Sequence, residues 1–356
     1  PRAATRAPRR DDLLVALVGL AAGVAVVAWG ARPTGSLDVD AVVVPVVVAG
    51  AVWLCSFARW WALAVLGAVS AVVAGETWAI ALGIAATLVA IGIRLQLGDH
   101  PILRAGAAAA SAVALATAGE LGRFGVSSAV GIVTVAGCAV VGLVGLAEAT
   151  RRRALLVLGV VTGVIVVAIA GLAIAAQSAR SDLTAGNDAA TEALDFVRDG
   201  ELDEARAEFA EAAVRFRRAA TELERPWAQL SRIVPVVAQH RRAATELTDA
   251  ASSTSRTLDA ELSTVDVDAL RIVDGRIDLD AIVALRAPLD RVIASVARLD
   301  RTLDESRSGW LVAPAGDRVD ELADSVADQG ELAAKAADAL DVIPAMLGAD
   351  GERVYF

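Results

Sequence analysis

ALLVLGVVTGVIVVAIAGLAIAA, residues 154–176, follows directly on Arg151, Arg152 and Arg153. The whole run passes without a charge, and at ~1.5 Å per residue it is long enough to cross a hydrocarbon core of ~30 Å as one helix. Basic flanks stay in the cytoplasm, so the three arginines are topology determinants: they direct the helix outward and deliver residues 177–356 to the far side. Upstream of this run the chain is membrane-like, and downstream it is charged and helical in pattern.

Composition agrees with that division. Of the 356 residues 56% are hydrophobic, and the mean hydropathy is +0.56, too high for an ordinary soluble domain. The net charge of −10 averages two unlike halves. Residues 1–176 hold 12 Arg against 8 Asp and Glu, a net of +4, whereas residues 177–356 hold 21 Lys and Arg against 35 Asp and Glu, a net of −14. An acidic outer part argues against nucleic acid and against adhesion to an anionic lipid surface. Both cysteines, Cys55 and Cys138, lie in apolar runs, so the outer part has no disulfide framework and relies on packing. Lys335 is the only lysine, and the heavy use of Ala, Val, Arg and Asp hints at a GC-rich bacterial genome.

Working back from residue 154, six more apolar runs occupy 13–30, 41–57, 60–75, 78–93, 102–118 and 126–146, the Ala-rich fifth being the least distinct. Seven spans put Arg2, Arg6, Arg9, Arg10, Arg59, Arg94, Arg104 and Arg151 to Arg153 inside. Only Arg32 and Arg123 fall outside, beside Asp38, Asp40, Glu76 and Glu120. The bias gives a cytoplasmic N-terminus. The first run reads as a retained helix, since no small-residue cleavage pattern follows it. Trp29, Trp60, Trp61 and Trp78 fall near span ends, where an aromatic belt sits. No Asp, Glu, Lys, Arg or His lies mid-run, against a transporter or pump. Gly19 with Gly23, and Gly159 with Gly163, make GxxxG pairs suited to close helix packing. A packed anchor bundle is the expectation, with a lipid- or partner-binding bundle as the other reading.

Beyond 176 the pattern turns amphipathic without a break, so the last span continues as a stalk helix toward Arg198, with a turn at Asp199-Gly200. Leu202, Ala205, Phe209, Ala212, Phe216, Ala219 and Leu223 then form one helical stripe. The stripe is similar to half a tetratricopeptide unit, but no second copy follows at the required period. Pro226 and Pro235 bracket a bend with a helical turn or two. A helix near 239–262 carries Ala244, Leu247, Ala251, Leu258 and Leu262. Leu270, Ile272, Ile277 and Leu279 flank Asp274-Gly275, the pattern of a small β-hairpin. Ile282, Leu285, Leu289, Val292, Val296, Leu299 and Leu303 alternate three and four apart, as a coiled-coil seam does, with Pro288 marking a first turn or a kink. A last helix, expected to be capped by Asp317, carries Val319 to Ile343. GERVYF at 351–356 reads as the opening of a strand in a following domain.

The chemistry-bearing signals are few. No phosphate-binding glycine loop, nucleophile elbow, HExxH or CxxC occurs. His100 and His240 fall on opposite predicted sides and cannot pair at a metal. Asp266, Asp268, Asp274, Asp278 and Asp280 do not have the calcium-loop order and are better explained as caps and turn formers. No cofactor is implied. Trp227 and Trp310 read as bundle-end core residues or as anchors for a partner.

ERPW (224–227), IVPVVAQ (233–239), VDGRIDL (273–279), ALRAPLDR (284–291), GWLVAP (309–314) and MLGADGERVYF (346–356) give the outer part a resemblance. It resembles the N-terminal helical region of a largely actinobacterial, membrane-anchored family of unknown function. In that family the last motif opens an α/β domain similar to LytR-CpsA-Psr ligases, which attach glycopolymers to peptidoglycan. The resemblance implies a cell-envelope setting and an envelope-protein or glycopolymer partner. It carries over no catalytic residue, because the α/β part lies beyond these motifs. Its members typically have one anchoring span, against the seven read here.

The expectation is therefore an all-α protein: a basic cytoplasmic N-terminus (1–12), a seven-helix transmembrane region (13–176), an elongated extracytoplasmic helical bundle (177–345) with one β-hairpin, and the start of a further domain (346–356). The bilayer is its first partner. The leading functional expectation is an anchor and stalk or scaffold; a ligand- or partner-binding sensor is the alternative, and no residues converge as an enzyme site would require. Ligand and oligomeric state are not legible.

Overall fold

Apolar runs ended by glycine, proline or charge give a succession of helices. The structure, a computed structural model, describes residues 10–95, 100–117, 126–266, 278–307 and 309–346. Among these every regular element is helical and no β-strand occurs. The expected hairpin falls mostly on 267–277 and the expected strand on 351–356, both outside the described residues. Leu279, assigned to the second arm of that hairpin, instead opens a helix. Its first turn is capped by the Asp278 carboxylate, which accepts from the amides of Asp280 (3.0 Å) and Ala281 (3.2 Å).

Helices α1 (Arg10–Ala28), α2 (Leu37–Ser56), α3 (Trp60–Val73), α4 (Thr77–Leu95), α5 (Pro101–Ala116), α6 (Val126–Gly145) and α7 (Glu148–Asp199) occupy the seven apolar runs. Five of them, α1, α2, α4, α6 and α7, are long and apolar enough to cross a membrane; α3 and α5, with 14 and 16 residues, are shorter. After them come α8 (Leu202–Leu223), a 3₁₀ helix (Pro226–Ile233), α9 (Val237–Leu262), α10 (Leu279–Ala284), α11 (Arg286–Ser306) and α12 (Ala313–Met346).

The described residues form two compact units. The first gathers residues 10–169 with two short pieces from later in the chain, 230–239 and 309–314. Its core contains Val52, Cys55, Leu63, Leu66, Ala105 and Cys138. Here α1 and α2 meet through glycine. A Cβ on Gly19 would fall 2.7 Å from the Cα of Ala49, and one on Gly23 would collide with the backbone of Pro45. The second GxxxG pair behaves differently: Gly159 and Gly163 face open space, and their α7 neighbours Leu156, Val160 and Val167 are exposed. The hydroxyls of Ser70, Thr87 and Ser111 bond carbonyls three or four residues earlier on their own helices.

The second unit comprises residues 170–229, 240–307 and 315–346. From position 168 onward α7 acquires a buried stripe of small residues, including Ala175, Ala179, Ala189 and Ala193. The α8 stripe is as the spacing predicts: Ala205, Phe209, Ala212, Ala219 and Leu223 are buried. In α9 the burial is shifted. Leu247 and Leu258 are half-buried, while Thr248, Ser252 and Ser255 lie deeper, the Ser252 hydroxyl donating to the Ala213 carbonyl of α8 at 2.9 Å. The proposed seam is divided between α10 and α11, so Pro288 falls in the first turn of α11 and causes no kink. Asp317 does not cap the last helix. That helix starts at Ala313 with Pro314 in its first turn, where a missing N–H costs nothing, and Asp317 lies one turn inside.

Candidate functional site

The first unit contains the most tightly constructed polar constellation. The loop between α1 and α2, ARPTGS at 31–36, folds over the start of α2. Asp40, wholly buried, accepts the Thr34 amide at 3.0 Å through Oδ1. Fixing the loop this way turns its carbonyls toward residues 234–239 of the same unit. The Arg32 carbonyl accepts from the Gln239 side-chain amide at 2.6 Å, and the Pro33 carbonyl accepts the Val236 N–H at 2.7 Å. Gly35, at φ +79°, leaves room for the Gln239 amide, whose nitrogen a Cβ would approach to 3.0 Å.

Val236 itself has φ +69°, the only non-glycine residue so placed among those described. The Val237 N–H donates to the Pro235 carbonyl at 2.8 Å, closing a three-residue γ-turn of the strained, positive-φ kind. A β-branched residue adopts this backbone only when its surroundings impose it. Here the preceding Pro235 and the Arg32–Pro33 carbonyls do so. The constellation is built as a mechanical clasp: the Arg32 and Pro33 carbonyls and Asp40 Oδ1 each accept a hydrogen bond, while Asp40 Oδ2 is buried without one.

Trp310 lies in the other inserted piece. With Gly309 it lines an apolar cleft of about 340 Å³ together with Val73, Leu115, Ile132 and Val135. Trp227 is 44% exposed, with the Arg225 guanidinium 5.6 Å from its ring centre. Trp29 and Trp78 meet edge-to-face at 4.6 Å, so two of the belt tryptophans share one place. Arg151, Arg152 and Arg153 occupy the first turns of α7, with Arg152 and Arg153 exposed.

The second unit has a cleft of about 460 Å³ between its helices, lined by Leu183, Asn187, Phe216, Leu247, Leu303 and Leu322 among others. Its wall is chiefly apolar, and the lining Thr184 and Thr248 hydroxyls are occupied by the carbonyls of Arg180 and Ala244. His100 stands at the start of α5 and His240 within α9. No group of three or more His, Cys, Asp or Glu side chains among the described residues is arranged to hold a metal. Asp40, Val236 and Gln239 escaped sequence reasoning. The one available signal was Asp40 itself, an acid at the threshold of an apolar run and four residues after a Thr-Gly-Ser turn.

No known family, curated protein or solved structure matches the chain.

Proposed function

We propose that this chain is a multi-pass membrane anchor carrying an extracytoplasmic helical bundle, which serves as a stalk or scaffold in a bacterial cell envelope. One observation carries the reading. α7 is a single helix of 52 residues whose apolar first half is exposed around its circumference and whose second half bears a buried alanine stripe. The exposed half suits lipid, and the striped half suits a helical bundle; one uninterrupted helix transmits position between them. The basic residues before it favour a cytoplasmic start, with α3 and α5 completing seven spans as short helices. The resemblance of the 224–239 and 309–314 motifs to an envelope family supports an envelope-protein or glycopolymer partner.

Reporter fusions test the topology. Alkaline phosphatase joined after Asp199 should be active and a fusion after Arg94 inactive; the reverse pattern would sink the proposal. A second reading, a ligand-binding sensor, is favoured by the cleft beside Asn187 and Phe216. Envelope extracts that slow hydrogen exchange along residues 177–198 would favour it over the scaffold.

A further inference from the structure

The 3₁₀ helix Pro226–Ile233 has three residues per turn, so positions three apart stack into ridges. Ala228 and Ser231, continued by Val234, form a buried ridge at 0%, 0% and 5% exposure. Pro226, Gln229 and Arg232 form a second edge, polar at Gln229 and Arg232. The third ridge is Trp227, Leu230 and Ile233, at 44%, 42% and 47% exposure. A ridge made wholly of large apolar side chains, all turned outward, calls for something to cover it.

Its attachment to α7 indicates what that is. The Trp227 carbonyl lies so close to Gly171 that a Cβ there would collide with it, and the Ala228 nitrogen stands 3.8 Å from the same position. Gly171 lies five residues before the end of the apolar run at Ala176, a depth of about 8 Å at 1.5 Å per residue. Its α7 neighbours Ile169 and Ile174 are themselves exposed at 49% and 57%. The Trp227 end of the ridge is thus held against α7 at the level where amphipathic segments settle, ~5–10 Å into the headgroup and acyl boundary. Tryptophan favours that layer, and the exposed Arg232 on the adjoining edge suits lipid phosphate.

We infer that the 3₁₀ helix is seated in the interfacial layer of the bilayer, with Trp227, Leu230 and Ile233 among the upper acyl chains and Arg232 at the phosphates. The seat fixes the depth at which α7 leaves the membrane. This rests on the reading of α7 as a membrane span, and the test separates the two.

The full chain is reconstituted in nanodiscs of phosphatidylcholine and phosphatidylglycerol, with nitroxide labels on Leu230→Cys, Ile233→Cys, Val160→Cys or Leu332→Cys; unlabelled wild type verifies that buried Cys55 and Cys138 do not react. Labels at 230 and 233 should be relaxed more by oxygen than by a water-soluble nickel chelate, as at 160, whereas 332 should show the opposite order. Oxygen preference at 160 with nickel preference at 230 and 233 overturns the inference and leaves the span intact; nickel preference at 160 overturns the span. A label at 230 shielded from both reagents until the protein is diluted with lipid assigns the ridge to a protein contact and also overturns the inference. Should the ridge variants fail to fold, Trp227→Phe supplies the check. Wild-type fluorescence quenched by lipids brominated near the headgroup should lose part of its quenching in that variant, and an unchanged quenched fraction rejects the seat.

Discussion

The guanidinium of Arg291 on α11 bonds the carboxylate of Glu261 on α9 at 2.6 Å, across two helices separated by 30 positions in sequence. Equivalent ties recur through the second unit. Arg215 of α8 reaches Asp182 of α7 at 3.2 Å, Arg206 of α8 lies 3.5 Å from Asp259 of α9, and Arg286 of α11 pairs with Asp341 of α12. Each packed helix in this alanine-rich unit is therefore joined to a neighbour by an arginine and a carboxylate. Small side chains bury little apolar area, and such ties set register more than they supply stability.

This arrangement predicts acid sensitivity with a definite sign. The hydrogen bond from Arg291 holds the Glu261 carboxyl below the ordinary glutamate range. A carboxyl depressed in the folded state adds stability that is complete above its unfolded value and lost as pH falls through the lower folded one. The unfolding temperature of the second unit should thus be flat near neutrality and fall on acidification below the ordinary glutamate range. Glu261→Gln should flatten part of that acid slope while lowering the neutral value slightly. An unchanged slope in the variant would remove the ion pair from the account.

The α8 stripe makes a sharper prediction. Phe209 is 2% exposed and is among the largest fully buried side chains, whereas Val214 on the same helix is 43% exposed. Phe209→Ala should cost about 3–5 kcal/mol, and Val214→Ala about 0.5 kcal/mol or less, in denaturant titrations followed by circular dichroism. Equal costs would mean that α8 is not packed on this face.

What was legible in the sequence divides along physical lines. The continuity of α7 could be read because an apolar run passes into an amphipathic one with no proline and with its first firm turn signal at Asp199-Gly200. The 3₁₀ segment could be read because prolines bracket it. The arginine clamps could not, since their partners lie tens of residues apart and the acidic face offers many equivalent carboxylates. The two GxxxG pairs were indistinguishable as motifs, yet only Gly19 and Gly23 touch a neighbour. Which small-residue stripe meets a helix depends on the tertiary arrangement, which local pattern does not encode. The start of α12 was masked because Asp317 is a cap-type residue, although Pro314, equally suited to a first helical turn, precedes it.

That difference between the glycine pairs is itself measurable. Gly19→Leu would drive a side chain into Ala49 and should destabilise the first unit by about 1–3 kcal/mol, read as a lowered unfolding temperature in detergent. Gly159→Leu, facing open space, should leave it unchanged. If Gly159→Leu were instead as damaging, α7 would be packed through that face against another chain.

The last prediction concerns the clasp at Val236. Its positive φ costs a β-branched residue of order 1–3 kcal/mol, which the Pro33 carbonyl and the Gln239 amide offset by holding the turn from the opposite side. Glycine takes that φ freely but loses more entropy on folding, about 0.5–1 kcal/mol. Val236→Gly should therefore be neutral or stabilising by up to about 2.5 kcal/mol, while Gln239→Ala should lose about 1 kcal/mol with its hydrogen bond. Val236→Pro should do most damage, since a proline can neither reach positive φ nor donate to the Pro33 carbonyl. Hydrogen exchange at the Val236 amide reads the clasp directly: protection should survive in Val236→Gly and fall in Gln239→Ala. Protection insensitive to Gln239 would mean that Pro235 and its neighbours in the chain impose the turn, and the Arg32–Pro33 loop would then be a passenger of the γ-turn and not its cause.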